Sequence, residues 1–293
     1  MKKYLVIGNP IDHSLSPKLH NRWFKMTGIN AVYNGEKVEE NDLKEIINKV
    51  KNNTIDGINI TVPFKKSVIP FLDELTPEAN KVQSVNTILK KNNKIIGANT
   101  DIHGFEASLI YKNFKLKNKK VFILGAGGVV SSIIYVLKKM EVAKITLSNR
   151  TKKKVEDLKK IYPDLEFIDW GQTTEFDIII NATSLGLNEM DKIGLDFNDS
   201  KETYKSKNDK KTKVNSSKLF YDVIYKPKDK DLGQTDFLLN GKRLGHKTMD
   251  GSLMFLHQAA ESFRIWHETQ PHIDWDKKAQ MKDLEDLKLY FFI

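Results

Sequence analysis

The chain has 293 residues, enough for two ordinary domains that each bury a core. No apolar run approaches the ~20 residues of a membrane span and the start lacks a signal-peptide pattern, so we expect a cytoplasmic protein outside the membrane. The lack of cysteine excludes disulfides, a catalytic thiol and cysteine-ligated metals, and the seven histidines show no ligand spacing, so we expect no metal. The net charge of +10 lies on dispersed lysines, which does not favour nucleic-acid binding.

The first hundred residues alternate between strand and helix patterns. We expect strands at 3–8 and 55–62, helices at 17–27 and 41–52, a hairpin formed by 85–89 and 94–98, and then a helix at 104–111. Asn41 or Asp42 is the expected cap of the second helix. Its apolar stripe is Leu43, Ile46, Ile47 and Val50.

A glycine turn lies between two apolar runs in the middle of the chain. Strand 121–124 leads into Gly125, Gly127 and Gly128, and after a helical stretch strand 145–147 ends at Asn149-Arg150-Thr151. This order places a dinucleotide pyrophosphate at a helix N-terminus. An NAD site usually has an acidic residue where Arg150 stands, and a cation suits a 2′-phosphate, so the pattern predicts NADP(H). Lysines 152–154 are either part of that cluster or the solvated start of a helix.

The last part of the chain contains two more buried strands and a helix. The strands are expected at 176–182 and 219–223, the helix at 251–266, and a short amphipathic helix from Met281. The lysine-, asparagine- and serine-rich segment 199–218 has too few apolar residues to order itself, so we expect a mobile loop or insertion.

Polar side chains collect at the ends of the early elements. Ser14 and Ser16 precede Pro17, an arrangement that fits either a carboxylate site or an ordinary serine cap. Asn59 and Thr61 share one strand face and Lys65 follows, where a lysine beside a cleft can act as general acid or base. Asn86-Thr87 and Asn99-Thr100-Asp101 flank the hairpin. Hydroxyls, amides, one lysine and one aspartate together suit a small polyhydroxylated acid.

Nine motifs in a fixed order carry a resemblance over nearly the whole chain. SLSP, NITVPFK, SVNT, NTD, GAGG, SNRT, NATS, YDVIY and DGSLMFLHQA make the sequence similar to the shikimate dehydrogenase family. The resemblance implies a two-domain α/β fold. Residues 1–101, joined by 246–293, would form an α/β substrate-binding domain, and 102–245 a Rossmann-like NADP-binding domain with a parallel sheet.

The resemblance also implies an oxidoreductase that acts on a CH–OH group, converting 3-dehydroshikimate and NADPH reversibly to shikimate. Lys65 and Asp101 would be the catalytic pair. Substrate-binding residues would be Ser14, Ser16, Asn59, Thr61, Lys65, Asn86, Asp101, Gln258 and, from the other domain, Tyr225. NADP(H) would be held by Gly125, Ala126, Gly127, Gly128, Val129, Asn149, Arg150, Thr151, Lys154, Thr183, Val223 and Gly251. We expect only small-molecule partners, no nucleic acid, no membrane, and a monomer or homodimer.

The sequence departs from the family pattern at several positions. Val130 replaces a small residue after the glycines, Gln83-Ser84 stands where Gly-Ala is common, and segment 199–218 is longer than usual. Three alternatives stay open: a quinate/shikimate dehydrogenase that uses NAD or both cofactors, a ligand-binding homologue without catalysis, and a nucleic-acid-binding protein. Retention of both Lys65 and Asp101 argues against the second.

Overall fold

The computed structural model describes residues 1–187, 193–195, 197, 217–225, 234–269 and 271. The helix predicted from Met281 and nearly all of segment 199–218 lie outside these residues. The chain divides into two compact units: the first contains Met1–Lys115, Gly127–Met140 and Ser252–Ile293, and the second Leu116–Ala126 and Glu141–Gly251. Over the described residues, no helix is both long and apolar enough to cross a bilayer.

The first unit is built on a mixed six-stranded sheet in the order β2-β1-β3-β5-β6-β4. The strands are β1 (Lys2–Gly8), β2 (Ala31–Lys37), β3 (Gly57–Ile60), β4 (Glu74–Leu75), β5 (Thr87–Lys91) and β6 (Lys94–Ala98). The helices are α1 (Ser16–Thr27), α2 (Leu43–Lys51), α3 (Pro77–Val82), α4 (Asp101–Tyr111), α5 (Val130–Lys139) and α8 (Ser252–His267), with 3₁₀ turns at Glu40–Asp42 and Ile69–Phe71. The alternating strands and helices predicted from the sequence are confirmed.

The predicted hairpin forms as expected from its turn residues. β5 and β6 pair antiparallel from Thr87↔Ala98 to Lys91↔Lys94. Asn92 and Asn93 have φ of 51° and 61°. Both central residues of a type I′ hairpin turn need this left-handed conformation, which asparagine adopts at low cost. The turn fixes the register in which Thr87 pairs with Ala98, three residues before α4 begins at Asp101.

Two helix starts differ from the prediction. α2 is preceded by a 3₁₀ turn in which Glu39 and Asp42 form a reciprocal capping box, and Asp42 occupies the N-cap position of α2 without a side-chain cap hydrogen bond. The predicted stripe of α2 is nevertheless buried. α4 begins at Asp101, three residues before the predicted start, because the Asn99 Oδ1 accepts a hydrogen bond from the Ile102 amide at 3.1 Å. Asp101 is thereby fixed in the first turn of a helix.

The second unit is a six-stranded, wholly parallel sheet in the order β12-β11-β10-β7-β8-β9. Its strands are β7 (Lys120–Leu124), β8 (Lys144–Ser148), β9 (Glu166–Ile168), β10 (Ile178–Asn181), β11 (Leu219–Asp222) and β12 (Lys247–Met249), and its helices α6 (Lys152–Ile161) and α7 (Asp236–Arg243). Counted from β7, this is the order 3-2-1-4-5-6 of dinucleotide-binding folds. The topological switch point, where such folds bind their ligand, lies between β7 and β10.

Candidate active site

A buried ion pair occupies the carboxyl end of β3. Lys65 lies five residues beyond β3, and its Nζ donates a hydrogen bond to the Asp101 Oδ2 at 2.6 Å. The two residues are only 9% and 5% exposed. Because a buried ammonium and carboxylate both lose hydration, they persist only when paired closely, and this pair is. The site therefore holds the ammonium group of Lys65 in a fixed position.

Asn86 orients the carboxylate of that pair. Its Nδ2 donates to the Asp101 Oδ1 at 3.0 Å and to the Thr100 Oγ1 at 2.9 Å. Its Oδ1 accepts from the Thr100 amide at 2.7 Å. The two Asp101 oxygens thus face different donors, which fixes the plane of the carboxylate.

Asn59 forms the layer below. It is 7% exposed, and its Nδ2 donates to the Asn86 carbonyl oxygen and the Thr87 Oγ1, each at 3.0 Å. Its Oδ1 accepts from the Tyr33 hydroxyl at 2.7 Å. Both ends of the Asn59 amide are occupied within the protein and, among the residues that the structure describes, neither reaches Lys65 or Asp101, so the observed geometry favours support of the network over contact with a ligand.

The helix α8 closes the network through Ser262, which the sequence analysis missed. The Ser262 Oγ lies 3.0 Å from the Asn59 Nδ2, 2.9 Å from the Thr87 Oγ1 and 3.1 Å from the Thr100 Oγ1. It also bonds to the Gln258 carbonyl at 3.1 Å. Gln258 itself is half-buried, with its Oε1 3.5 Å from the Thr100 Oγ1. Thr87 and Thr100 belong to the SVNT and NTD motifs. The signal for Ser262 was a serine four residues after Gln258 on an otherwise apolar helix face.

The predicted carboxylate-binding serines lie apart from this network. Ser14 and Ser16 are at the start of α1, where the Ser14 Oγ accepts from the Ser16 amide at 3.3 Å. Leu15 occupies the N-cap position, whereas the Ser14 hydroxyl bonds to the first amide of the helix from one residue earlier, so the carboxylate site and the serine cap both stay open. Thr61 is half-buried just past β3. Among the described residues, no hydrogen bond joins Ser14, Ser16 or Thr61 to the Lys65 network.

The glycine turn at the switch point begins with a residue whose conformation and close packing require glycine. Gly125 follows β7 with φ of 109°, and a Cβ there would lie 2.7 Å from the Ala182 carbonyl oxygen. Ala126 is buried, whereas Gly127, Gly128 and Val129 are partly exposed before α5. The amides at a helix start have no partners within the helix, which suits an anionic phosphate. Val130 is fully buried as the first residue of α5. These residues fit a dinucleotide pyrophosphate.

Three residues of the predicted NADP(H) site, Thr183, Val223 and Gly251, come together in the second unit. The Asn181 Oδ1 accepts from the Thr183 amide at 3.1 Å, and the Val223 amide donates to the Asn181 carbonyl at 2.9 Å. A Cβ at Gly251 would lie 2.0 Å from the Val223 carbonyl oxygen, so only glycine fits there. Tyr225, in the same segment, is half-buried, and desolvation raises the pKa of its hydroxyl.

The predicted 2′-phosphate residues follow β8. Arg150, Thr151 and Lys154 are exposed, and the Asn149 Nδ2 donates to the Thr151 carbonyl at 2.9 Å. Arg150 has no ion-pair partner in the described part of the chain, so its guanidinium is available to an anion. Lysines 152–154 do begin a helix, α6, with exposed side chains. No cluster of three histidine or acidic side chains suited to a metal ion occurs among the described residues.

Comparison with known proteins finds shikimate dehydrogenases among both the family models and the curated relatives. Residues 6–88 match the family model for the "Shikimate dehydrogenase substrate binding domain", and 108–192 that for "Shikimate / quinate 5-dehydrogenase". The chain is 51% identical over 273 residues to the NADP(+) shikimate dehydrogenase of Pelagibacter ubique, covering 93% of this chain and 96% of that protein.

Solved structures agree with the sequence relatives. The chain is similar to shikimate dehydrogenase of Aquifex aeolicus, with a TM-score of 0.78, 32% identity and 98% coverage of both chains. It is also similar to shikimate 5-dehydrogenase of Thermus thermophilus in complex with NADP(H) and shikimate, with a TM-score of 0.78, 26% identity and coverage of 98% and 99%.

Proposed function

The chain belongs to the shikimate dehydrogenase family, and we propose that it catalyses the reversible NADPH-dependent reduction of 3-dehydroshikimate to shikimate. This reaction belongs to the biosynthesis of chorismate and the aromatic amino acids. The observation that carries the proposal is the buried Lys65–Asp101 pair at 2.6 Å, since reduction of a carbonyl needs one positioned proton donor.

Lys65 supplies that proton. When bound, NADPH provides the hydride that reaches the carbonyl carbon. Negative charge then develops on the substrate oxygen, and the Lys65 ammonium stabilises it and donates a proton to it. Asp101 holds the ammonium in place, and Asn86 holds Asp101. In the reverse direction Lys65, as the neutral amine left by that transfer, accepts the proton from the hydroxyl group.

The remaining polar residues bind the substrate. We assign the carboxylate to the hydroxyls of Ser14 and Ser16, and the ring hydroxyls to Thr61, Asn86 and Gln258, with Tyr225 as a further contact. The support is the motifs that they occupy; Ser14, Thr61, Tyr225 and Gln258 are half-buried, whereas Ser16 and Asn86 are buried. We assign Asn59 to ordering the network rather than to contact, because it lies below Asn86 and, within the described part of the chain, has no hydrogen bond to Lys65 or Asp101.

Replacement of the lysine tests the proposal directly. Purified protein with shikimate and NADP⁺ should show growth of NADPH absorbance. In Lys65→Ala the kcat should fall by about 10²–10⁴-fold with a much smaller change in the KM for shikimate, because the proton donor is lost. Lys66→Ala, which removes the exposed neighbouring lysine, is the matched control and should keep wild-type kcat.

Two outcomes would contradict this function. Wild-type protein that binds shikimate without turnover would support the non-catalytic homologue. A large rise in the shikimate KM of Lys65→Ala at unchanged kcat would leave lysine as a binding residue only.

Cofactor choice separates the proposal from the NAD-dependent quinate/shikimate alternative. Arg150 is exposed and unpaired among the described residues, so we assign it to the 2′-phosphate. Arg150→Ala should raise the KM for NADP⁺ about tenfold or more and leave the KM for NAD⁺ nearly unchanged, as a charge-assisted pair contributes about 1.5–3 kcal/mol. Lys159→Ala, at an exposed position in the last turn of α6, is the control and should change neither KM by more than about twofold. Preference for NAD⁺ or quinate in the wild type would favour the alternative.

A further inference from the structure

Ser84 is a fully buried serine beside the catalytic lysine that the reaction itself does not use. It follows α3, immediately before the segment that forms β5. Its hydroxyl donates a hydrogen bond to the Gly128 carbonyl oxygen at 2.9 Å. Its own carbonyl oxygen accepts from the Asn99 Nδ2 at 2.9 Å. The serine therefore joins the strand segment of the first unit to the last glycine of the turn.

The segment around Ser84 is itself held firmly. The next residue, Val85, donates its amide to the Lys65 carbonyl at 2.8 Å. The Asn99 Oδ1 accepts from the Ser132 hydroxyl of α5 at 3.2 Å and from the Ile102 amide of α4 at 3.1 Å. Ser84 thus projects from a rigid base, so its hydroxyl can impose an orientation on Gly128 rather than follow it.

The orientation matters because a peptide group is planar. The Gly128 carbonyl and the Val129 N–H belong to one trans peptide and point in opposite directions. Val129 is the N-cap residue of α5, so its N–H is one of the donors that the helix leaves without a partner. By holding the carbonyl, Ser84 fixes the direction of this donor.

Gly128 also lies against the catalytic lysine. A Cβ placed on Gly128 would be 3.3 Å from the Lys65 Cβ and 3.4 Å from its Cδ. The same hydrogen bond therefore keeps the turn packed on the aliphatic stem of Lys65. Alanine would fill nearly the same volume at position 84, so packing alone does not require a hydroxyl there.

We propose that Ser84 is a positioning residue, which orients the Gly128–Val129 peptide toward the dinucleotide pyrophosphate while holding the turn against Lys65. The inference rests on the proposed function, because it takes the anion at this turn to be NADP(H). It assigns to Ser84 a part of the affinity for the pyrophosphate, not for the 2′-phosphate or for shikimate.

Calorimetric titration of the purified protein without substrate tests the inference. In Ser84→Ala the Kd for NADP⁺ should rise about three- to tenfold, the loss expected for one neutral hydrogen bond. The Kd for adenosine 2′-monophosphate, which lacks the pyrophosphate, should stay within twofold of wild type, and so should the KM for shikimate. Ser84→Cys, with a weak donor of similar size, should lie between wild type and Ser84→Ala.

Ser108→Ala is the matched control. Ser108 is equally buried and its hydroxyl donates to the Phe105 carbonyl within α4. The Ser108→Ala variant should bind NADP⁺ with wild-type affinity even if its thermal stability falls. The inference is overturned if Ser84→Ala binds NADP⁺ with wild-type affinity. It is also overturned if the variant loses as much affinity for adenosine 2′-monophosphate as for NADP⁺. Wild-type protein that does not bind NADP⁺ at all would instead overturn the proposed function.

Discussion

Asp222 is a carboxylate with no exposed surface at the end of β11. Its Oδ1 accepts from the Asn181 Nδ2 and from the Ile224 amide, each at 3.0 Å, and its Oδ2 accepts from the Thr235 hydroxyl. Burial nevertheless raises the pKa of Asp222 to about 7, against the lowering effect of these three donors and with a further rise from Asp250. The residue ties β10, β11 and the start of α7 together beside Thr183 and Val223.

This raised pKa predicts an unusual dependence of stability on pH. The folded state keeps the Asp222 proton up to about pH 7, whereas the unfolded chain loses it near pH 4, so the folded state binds more protons in that window. The free energy of unfolding should therefore fall as pH rises from about 4 to 7, by at most about 1.4 kcal/mol per pH unit from this group. Asp222→Asn should remove this loss.

The measurement is the difference in melting temperature between Asp222→Asn and wild type. It should grow in favour of the variant from pH 4 to 7 and then level off. Asp12→Asn, at an exposed position, is the control. A difference that is constant across this range would contradict the assigned ionisation.

Residues that take part in the chemistry could be predicted from the sequence, whereas residues that pack behind them could not. Lys65, Asp101 and Asn86 lie within recognisable motifs, and the structure brings them together. His20 gives no comparable signal. It is stacked on Tyr33 at 4.4 Å between ring centroids, neither ring nitrogen has a partner among the described residues, and burial lowers its pKa to about 3. Only the folded structure shows that His20 packs on the tyrosine that holds Asn59.

At the scale of elements, the sequence predicts the buried strands and misses the strands at the edges of the two sheets. The strands β1, β3, β7, β10 and β11 are apolar runs and were predicted. β2 is an edge strand in which only one residue is fully buried, and β4 has two residues. β9 and β12 are the two edges of the parallel sheet. A strand paired on one side presents no clear hydrophobic period, so pattern analysis passes over it.

The packing of α4 on α8 depends on one glycine. A Cβ at Gly104 would lie 2.6 Å from the Met254 carbonyl oxygen and 2.8 Å from the Gln258 Cβ. Because both atoms belong to the body of α8, the helices must separate to admit alanine. The gain of about 1 kcal/mol in helix propensity does not offset overpacking, which typically costs 1–3 kcal/mol.

Gly104→Ala should accordingly lower the urea midpoint of unfolding and raise the KM for shikimate severalfold, since Gln258 moves with α8. Ile110→Ala changes the same helix at a position that is 64% exposed and should alter neither quantity appreciably. A variant Gly104→Ala with wild-type midpoint and KM would show that the helices can repack without displacing Gln258.

At the scale of the molecule, the sequence predicts the fold class better than the limits of its parts. The α/β class and the parallel sheet are confirmed, because nine ordered motifs and the strand–turn–helix pattern constrain them together. The domain limits at 101/102 and 245/246 stay a prediction. Domain boundaries depend on which elements pack together. The sequence of a helix such as α5 does not indicate the unit to which the helix belongs.

Net charge is the other property of the whole chain, and it has a measurable consequence. A chain of +10 attracts anions, and NADP⁺ carries one phosphate more than NAD⁺, about 1.5–2 negative charges. Raising NaCl from ~0.05 M to ~0.5 M shortens the screening length severalfold, so the KM for NADP⁺ should rise severalfold, the KM for NAD⁺ less, and kcat little. Arg150→Ala separates the field of the chain from the local contact, since it removes one of 48 basic side chains. The variant should start from a higher KM for NADP⁺ yet keep most of the dependence on salt. If the dependence disappears with Arg150, the dispersed lysines contribute nothing to cofactor capture and their charge serves no role in this reaction.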